Sequence, residues 1–235
     1  METQWSREEM LLGADGLARL RGAHVAVFGV GGVGSFAAEA LCRAGVGAIT
    51  LVDHDTVSVS NLNRQLVALH STLGQYKADV MAARIRDIQP DCRVTAIREF
   101  YTEENKERFF SLGFDYIADC IDSVSSKLSL IQTALERGVP ILSSMGTGNR
   151  LDPSKFVITD ISKTSGCPLA RVMRKELRDR GIRHHLVLSS TELPLKPVPP
   201  AELPAGKRSV PGSVSWVPSS AGLMIAGYIV RELLS

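Results

Sequence analysis

The stretch His24 to Gln65 constrains this chain more than any other. It reads HVAVFGVGGVGSFAAEALCRAGVGAITLVDHDTVSVSNLNRQ. An apolar run, Val25 to Phe28, enters a glycine-rich turn of sequence GVGGVG (Gly29 to Gly34). A helical pattern follows over Ser35 to Ala44. A second apolar run, Ala48 to Val52, ends on Asp53. Strand, glycine turn, helix, strand and terminal acid, at this spacing, make a βαβ unit built for a nucleotide. Gly29, Gly31, Gly32 and Gly34 permit a tight turn and close approach of the backbone to phosphate. The helix behind them offers unpaired N–H groups and a positive dipole end. Asp53, at the strand end, is placed to accept hydrogen bonds from ribose hydroxyls.

The turn alone fits NAD, FAD, S-adenosylmethionine or ATP. The residues after Asp53 narrow the choice. Asp55, Asn61, Asn63, Arg64 and Gln65 follow within a dozen positions. A loop rich in Asn, Arg and Gln suits a triphosphate better than an uncharged nicotinamide. An NAD-dependent oxidoreductase would leave Asn61, Arg64, Gln65 and Lys77 without work. A non-catalytic scaffold on the same fold would be expected to lack these phosphate-binding residues, and this chain keeps them.

Length and composition agree with an enzyme of this kind. The chain has 235 residues, 44% hydrophobic and 22% charged, enough for one large α/β domain. A single domain over 1–235 is expected, with a nucleotide-binding half (1–150) and a substrate-binding and crossover half (151–235). METQWSREEM has no basic n-region followed by an apolar h-region, so no secretory signal is visible. No run of about 20 apolar residues could span a bilayer. Cys42, Cys92, Cys120 and Cys167 form no CxxC pair, which argues against structural zinc. Reduced thiols and a cytoplasmic location are the expectation.

Charge is uneven. Residues 1–149 carry 14 basic and 18 acidic side chains, residues 150–235 carry 13 and 7. The basic C-terminal third suits an acidic partner such as RNA, or is a solvated surface. Its densest part is the expected helix 168–180, where Arg171, Arg174, Lys175 and Arg178 recur at spacings of three or four and share a face. His184 and His185 follow, as exposed or RNA-facing histidines rather than metal ligands.

Periodicity predicts helices over residues 6–20, 75–89, 103–110, 123–136, 168–180 and 219–234. Strands are expected at Arg93 to Ile97, Tyr116 to Cys120, Val139 to Ser143, Phe156 to Asp160, Leu186 to Ser190 and Val214 to Val217. The proline-rich segment 193–211, with Lys207 and Arg208, reads as a mobile polar loop. Asp122 follows a short buried strand, where open α/β sheets bind ligands. With Asp53 and Asp55 it could ligate Mg²⁺, and it could also cap the helix after Ser123.

GVGGVG, LVDHDTVSVSNLNRQ, GQYKA (Gly74 to Ala78) and DCIDS (Asp119 to Ser123) together resemble the adenylating superfamily of ubiquitin-activating enzymes, MoeB, ThiF and HesA. The likeness covers nearly the whole chain. It implies a Rossmann-like, doubly wound α/β fold, with a mostly parallel sheet and a C-terminal antiparallel β segment. It implies ATP and Mg²⁺ as cofactors: Asp53 on the ribose, Asn61, Arg64 and Lys77 on the phosphates with Gln65 in support, and Asp122 on the metal. Arg7, in WSREEMLLG, resembles the N-terminal arginine that dimers of this superfamily lend to the partner's site, which implies a homodimer. Arg64, Lys77, Asp122 and Arg7 would then carry catalysis.

Within the superfamily the chain looks most like the tRNA threonylcarbamoyladenosine dehydratases. The compact length, the absent CxxC pairs usual in MoeB and ThiF, LDPSKFVITDISKT and the ending GSVSWVPSSAGLMIAGYIVREL carry this likeness. It implies adenylation of a carboxylate on a modified tRNA adenosine, then ring closure with release of AMP. The tRNA would be steered by helix 168–180 and the Lys207–Arg208 loop. The alternative within the superfamily is adenylation of the C-terminal glycine of a ubiquitin-like sulfur carrier, with a sulfur-carrier or sulfurtransferase partner. Cys167, at a helix start, is either a relay nucleophile in that setting or a structural thiol.

Overall fold

A computed structural model describes residues 3–198 and 210–235. Lys207, Arg208 and most of the expected mobile loop lie outside the described residues. The strands are β1 (His24–Phe28), β2 (Ala48–Val52), β3 (Arg93–Ile97), β4 (Tyr116–Asp119), β5 (Ile141–Ser144), β6 (Phe156–Asp160) and β7 (Leu186–Ser190). The helices are α1 (Ser6–Gly22), α2 (Gly34–Arg43), α3 (Lys77–Ile88), α4 (Lys106–Phe110), α5 (Val124–Glu136), α6 (Pro168–Asp179) and α7 (Trp216–Leu234).

The sheet order is β3-β2-β1-β4-β5-β7-β6. Every neighbouring pair is parallel except β6 with β7, which is antiparallel at the edge. This is the doubly wound architecture expected, with its antiparallel segment in the C-terminal half.

Side-chain alternation along β1 feeds two cores. Val25 and Val27 face α2, α3 and α7, joining Leu41, Met81, Ile85 and Ile225. Ala26 and Phe28 face α4, α5 and α6, joining Phe109, Ile131 and Met173. Both faces of the sheet are therefore covered, as a parallel sheet requires. The chain winds outward to β2 and β3 on one side of β1, and to β4 and β5 on the other. The crevice lies where that order reverses, above the C-terminal ends of β1 and β4.

Three expectations need correcting. The segment Val214 to Val217 forms no strand, since α7 already begins at Trp216. Both edges of β5 are occupied, by β4 and β7, so no sheet partner is left there. Pro218 falls in the first turn of α7, where its missing N–H costs nothing. The helix expected over 103–110 is confined to Lys106–Phe110. Asn105 binds backward instead, accepting from the Thr102 N–H and donating to the Phe100 carbonyl, each at 2.8 Å, which sets a turn ahead of the helix. The first helix extends to Gly22 but is broken at Gly13, whose φ of 71° no α-helix contains.

His185 sits fully inside the second half of the sheet, its Nε2 2.8 Å from Ser143 Oγ. It is buried, which corrects the expectation of an exposed or RNA-facing imidazole. Burial, aided by the nearby charge of Lys127, lowers its pKa from 6.5 to about 3. Between those values the unfolded chain binds a proton that the folded one refuses, so stability rises with pH across that window and is fully present above it. At pH 5 this group alone costs roughly 2 kcal/mol relative to pH 7.5. Urea denaturation of wild type and His185→Gln at both pH values checks this. The loss between pH 7.5 and 5 should be smaller in the variant by about that amount, and equal losses would refute it.

Candidate nucleotide-binding site

The crevice at the switch point is a cavity of about 790 Å³. Its floor is the glycine turn. Gly29 has φ of 86°, and a Cβ there would stand 2.7 Å from the Cys120 carbonyl oxygen. At Gly34 a Cβ would overlap the Gly29 carbonyl oxygen. These two glycines shape the turn and let α2 start directly against β1. Gly31 and Gly32 line the cavity itself; Gly34 lies behind the turn and does not.

Asp53 at the end of β2 is 9% exposed. Its two oxygens accept from the Val30 N–H at 2.6 Å and the Asp55 N–H at 2.9 Å. It thus ties the glycine turn to its own loop, and it lines the cavity. Burial raises its pKa, against the lowering pull of Lys77 and those two N–H groups.

The loop beyond β2 returns as a short 3-10 turn, Val59–Asn61. Asn61 Oδ1 accepts from Ser58 N at 3.1 Å, which fixes that turn. Arg64 is held by the Ser60 carbonyl at 2.8 Å and Asn63 Oδ1 at 2.9 Å. Gln65 is buried, and its Oε1 has no hydrogen-bond partner among the described residues. A buried, unpaired carbonyl oxygen on a pocket wall is costly unless something fills it. Lys77, at the start of α3, is buried along its stem, and its ammonium is 2.7 Å from Asp55 Oδ2. Asp55 therefore aims Lys77 into the cavity.

Asp122 is exposed on the far wall, beyond β4. The cap position of α5 is Ser123, and Asp122 makes no cap hydrogen bond, which corrects the capping expectation. Its carboxylate has no partner among the described residues, so it remains available to a hard cation. The carboxylates do not gather as expected. Asp53 and Asp55 group with His54, without Asp122. Both Asp53 oxygens already accept backbone N–H groups and Asp55 holds Lys77, so of the three carboxylates Asp122 has the most capacity left for a hard cation. Arg7 is exposed on α1 and does not line this cavity.

Cys167 is 4% exposed, and its sulfur accepts from Ala170 N at 3.5 Å as the cap of α6. A buried capping thiol is poorly placed to accept an acyl group. Cys120 lines the cavity, but burial pushes its thiol up to about 12. Neither behaves as an activated nucleophile.

Two features of the site escaped the sequence. Lys127 and Asp119 form an ion pair at 2.7 Å, both fully buried. Asp119 Oδ1 also accepts from Ile121 N at 3.1 Å, which sets the turn leading to Asp122. A signal existed. Lys127 stands four residues before Ile131 and seven before Ala134, on the inward stripe of α5, where a lysine needs a buried partner. The second is Asn149, at φ of 59°. Its backbone N–H donates to the Gly212 carbonyl at 2.8 Å, its Oδ1 accepts from Gly212 N at 2.6 Å, and its carbonyl accepts from Leu195 N at 2.7 Å. It joins the segments on either side of 199–209 at the cavity rim, where Val210, Pro211 and Ser213 complete the wall.

Fold and site together define a nucleotide-binding α/β protein with a cationic phosphate pocket and, among the described residues, no activated cysteine beside it. The ThiF family model matches residues 5–235, and the chain belongs to the ThiF family. It is 49% identical over 240 residues to the tRNA threonylcarbamoyladenosine dehydratase of Bacillus subtilis, across 98% of this chain and 94% of that one. Among solved structures it is similar to the Escherichia coli tRNA N6-threonylcarbamoyladenosine dehydratase TcdA in complex with ATP. The TM-score is 0.89 at 36% identity, over 98% of this chain and 93% of that one. The AMP complex of the same protein matches with a TM-score of 0.89 over 98% and 94%. No helix among the described residues is long and apolar enough to cross a membrane.

Proposed function

We propose that this chain is an ATP-dependent tRNA threonylcarbamoyladenosine dehydratase. The observation that carries the reading is one cavity lined by Asp53, Asn61, Arg64, Gln65, Lys77 and Asp122 behind a GVGGVG turn, in a chain similar over nearly its whole length to proteins of that name.

In this reading the substrate carboxylate attacks the α-phosphorus of ATP. The bond to the bridging oxygen of pyrophosphate breaks, and an acyl adenylate remains. Charge gathers on the phosphate oxygens, so fixed cations lower the barrier most. Arg64 and Lys77 supply them, with Asn61 and Gln65 donating amide N–H groups. Asp53 holds the ribose, and Asp55 keeps Lys77 aimed. Asp122 would hold Mg²⁺, which supplies further neutralisation of phosphate charge. Arg7 of a second copy in a homodimer adds a cation from outside. A nucleophilic atom of the substrate's own carbamoyl group then attacks the activated carbonyl, and AMP leaves. Net, one water is removed and ATP becomes AMP and pyrophosphate. The step needs no enzyme nucleophile, in keeping with the buried Cys167. A ubiquitin-like carrier or a sulfurtransferase is not required by this route. A tRNA-modifying role places the protein in the cytoplasm.

AMP release from ATP tests the reading, using tRNA carrying threonylcarbamoyladenosine against the same tRNA unmodified. Release with modified tRNA alone, with loss of one water from that nucleoside, is the expected result. Release only on addition of a carrier protein ending in glycine would replace the substrate and keep the adenylation.

A further inference from the structure

A second concave region lies away from the nucleotide. It is lined by Ser162, Arg174, Arg178, Ile182, Arg183 and His184. The backbone explains how the cations converge. α6 ends at Asp179, and Gly181 takes φ of 80°. The Ile182 N–H then returns to the Leu177 carbonyl at 2.9 Å, a left-handed helix stop that folds the chain back on α6. Arg183 and His184 are thereby brought beside Arg174 and Arg178.

The charges there are poorly compensated. Arg174 Nη1 is bound by two neutral oxygens, the Thr164 carbonyl and hydroxyl, at 2.8 Å each. Arg178 and Arg183 have no carboxylate within ion-pair distance among the described residues. Asp160 is the nearby acid, and it is already engaged by Ser162 N at 2.8 Å and by His184 Nδ1 at 3.3 Å. On α6 itself Glu176 pairs with Arg180 at 3.0 Å, outside the cleft. Attraction for an anion must come from the guanidiniums, because the C-terminal dipole of α6 opposes it. Guanidinium forks suit phosphate geometry, and an exposed cluster of them is the usual footprint of nucleic acid.

We propose that this cleft binds a backbone phosphodiester of the tRNA substrate, at a site separate from the adenylation pocket. The proposal rests on the tRNA reading above. The distance suits that role. Leu169 in the first turn of α6 lines the nucleotide cavity, and Arg178 lies nine residues further along the same helix. That is about 14 Å of axial rise. One rigid helix thus links the reacting nucleoside to a phosphate anchor on its flank. Ser162 adds a hydroxyl for a phosphate oxygen, and Ile182 an apolar wall for a sugar.

The test is binding of tRNA carrying threonylcarbamoyladenosine, by fluorescence anisotropy across a salt series, with steady-state turnover alongside. The variant is Arg178→Gln/Arg183→Gln, two exposed positions whose change should not unfold the chain. Arg180→Gln, whose partner is Glu176, is the control. The double variant should raise KM for the tRNA about tenfold and flatten the slope of log K against log salt by roughly 1.4 to 1.8. Its kcat at saturating tRNA and its ATP affinity should stay at wild-type values, and the control should match wild type throughout. Unchanged affinity and slope in the double variant would overturn the site while wild-type turnover upholds the tRNA reading. If wild type itself neither binds nor turns over the modified tRNA, the functional reading fails instead. Loss of an acidic protein partner with tRNA binding intact would assign the cleft to that protein and overturn the proposal.

Discussion

Arg64→Ala is expected to lower ATP–pyrophosphate exchange by about 100- to 1,000-fold. Arg64 is the cation of the loop after β2, and its aliphatic stem passes over Gly32 on the cavity floor. The Ser60 carbonyl and Asn63 Oδ1 take one terminal nitrogen, so the rest of the fork remains for phosphate. Charge that develops on the α-phosphate in the transition state would lose its fixed partner. Binding of ground-state ATP should weaken far less, since Lys77 and the glycine turn still hold the phosphates. Arg64→Lys keeps the charge but not the planar fork, and should fall between the two. Folding should change little, because among the described residues the Arg64 side chain hydrogen-bonds only its own loop. Full exchange activity in Arg64→Ala would remove this residue from the proposed chemistry.

Lys127→Met carries the largest expected effect on stability. Both members of the Lys127–Asp119 pair are fully buried. Removing the cation leaves a carboxylate inside the sheet with one N–H donor, that of Ile121. Breaking such a pair costs about 3–5 kcal/mol, a large part of the 5–15 kcal/mol typical of a whole domain. For a chain of this size the melting temperature should fall by roughly 10 °C. Asp119→Asn added to Lys127→Met should restore most of the loss, because the amide oxygen still accepts from Ile121 while the stranded charge is gone. Urea unfolding of the single and double variants checks both statements. A single variant within about 1 kcal/mol of wild type, with no gain in the double, would contradict the account. The turn from Asp119 to Asp122 hangs on this pair, so the single variant should also lose adenylation at temperatures where it remains folded.

Different physics made parts of the molecule legible. The βαβ unit around GVGGVG could be read because steric demands on a turn are local. Gly29 and Gly34 leave no room for a Cβ, and that requirement is written in adjacent residues. Strand and helix positions followed from periodicity, and most stood within a residue or two. Val214 to Val217 misled because a short apolar run has no intrinsic fate. Whether it pairs depends on a free sheet edge, and β7 had taken it. His185 misled for the reverse reason: a histidine next to another histidine and close to Arg183 reads as surface, and only its packing at the entry to β7, against Ser143 of β5, buries it.

The sequence by itself determined the doubly wound fold, the family and the residue types around the nucleotide, since each follows from spacing along one chain segment. Tertiary structure alone decided which of those groups meet. It gave Asp55 to Lys77, left Asp122 without a partner among the described residues, buried Cys167 as the cap of α6, and paired Lys127 with Asp119 behind the turn that leads to Asp122. It also turned the chain at Gly181, so that arginines from two segments share one cleft. These are distances between residues far apart in sequence or on opposite sides of a turn. Burial and the path of the backbone set them, and composition does not encode either.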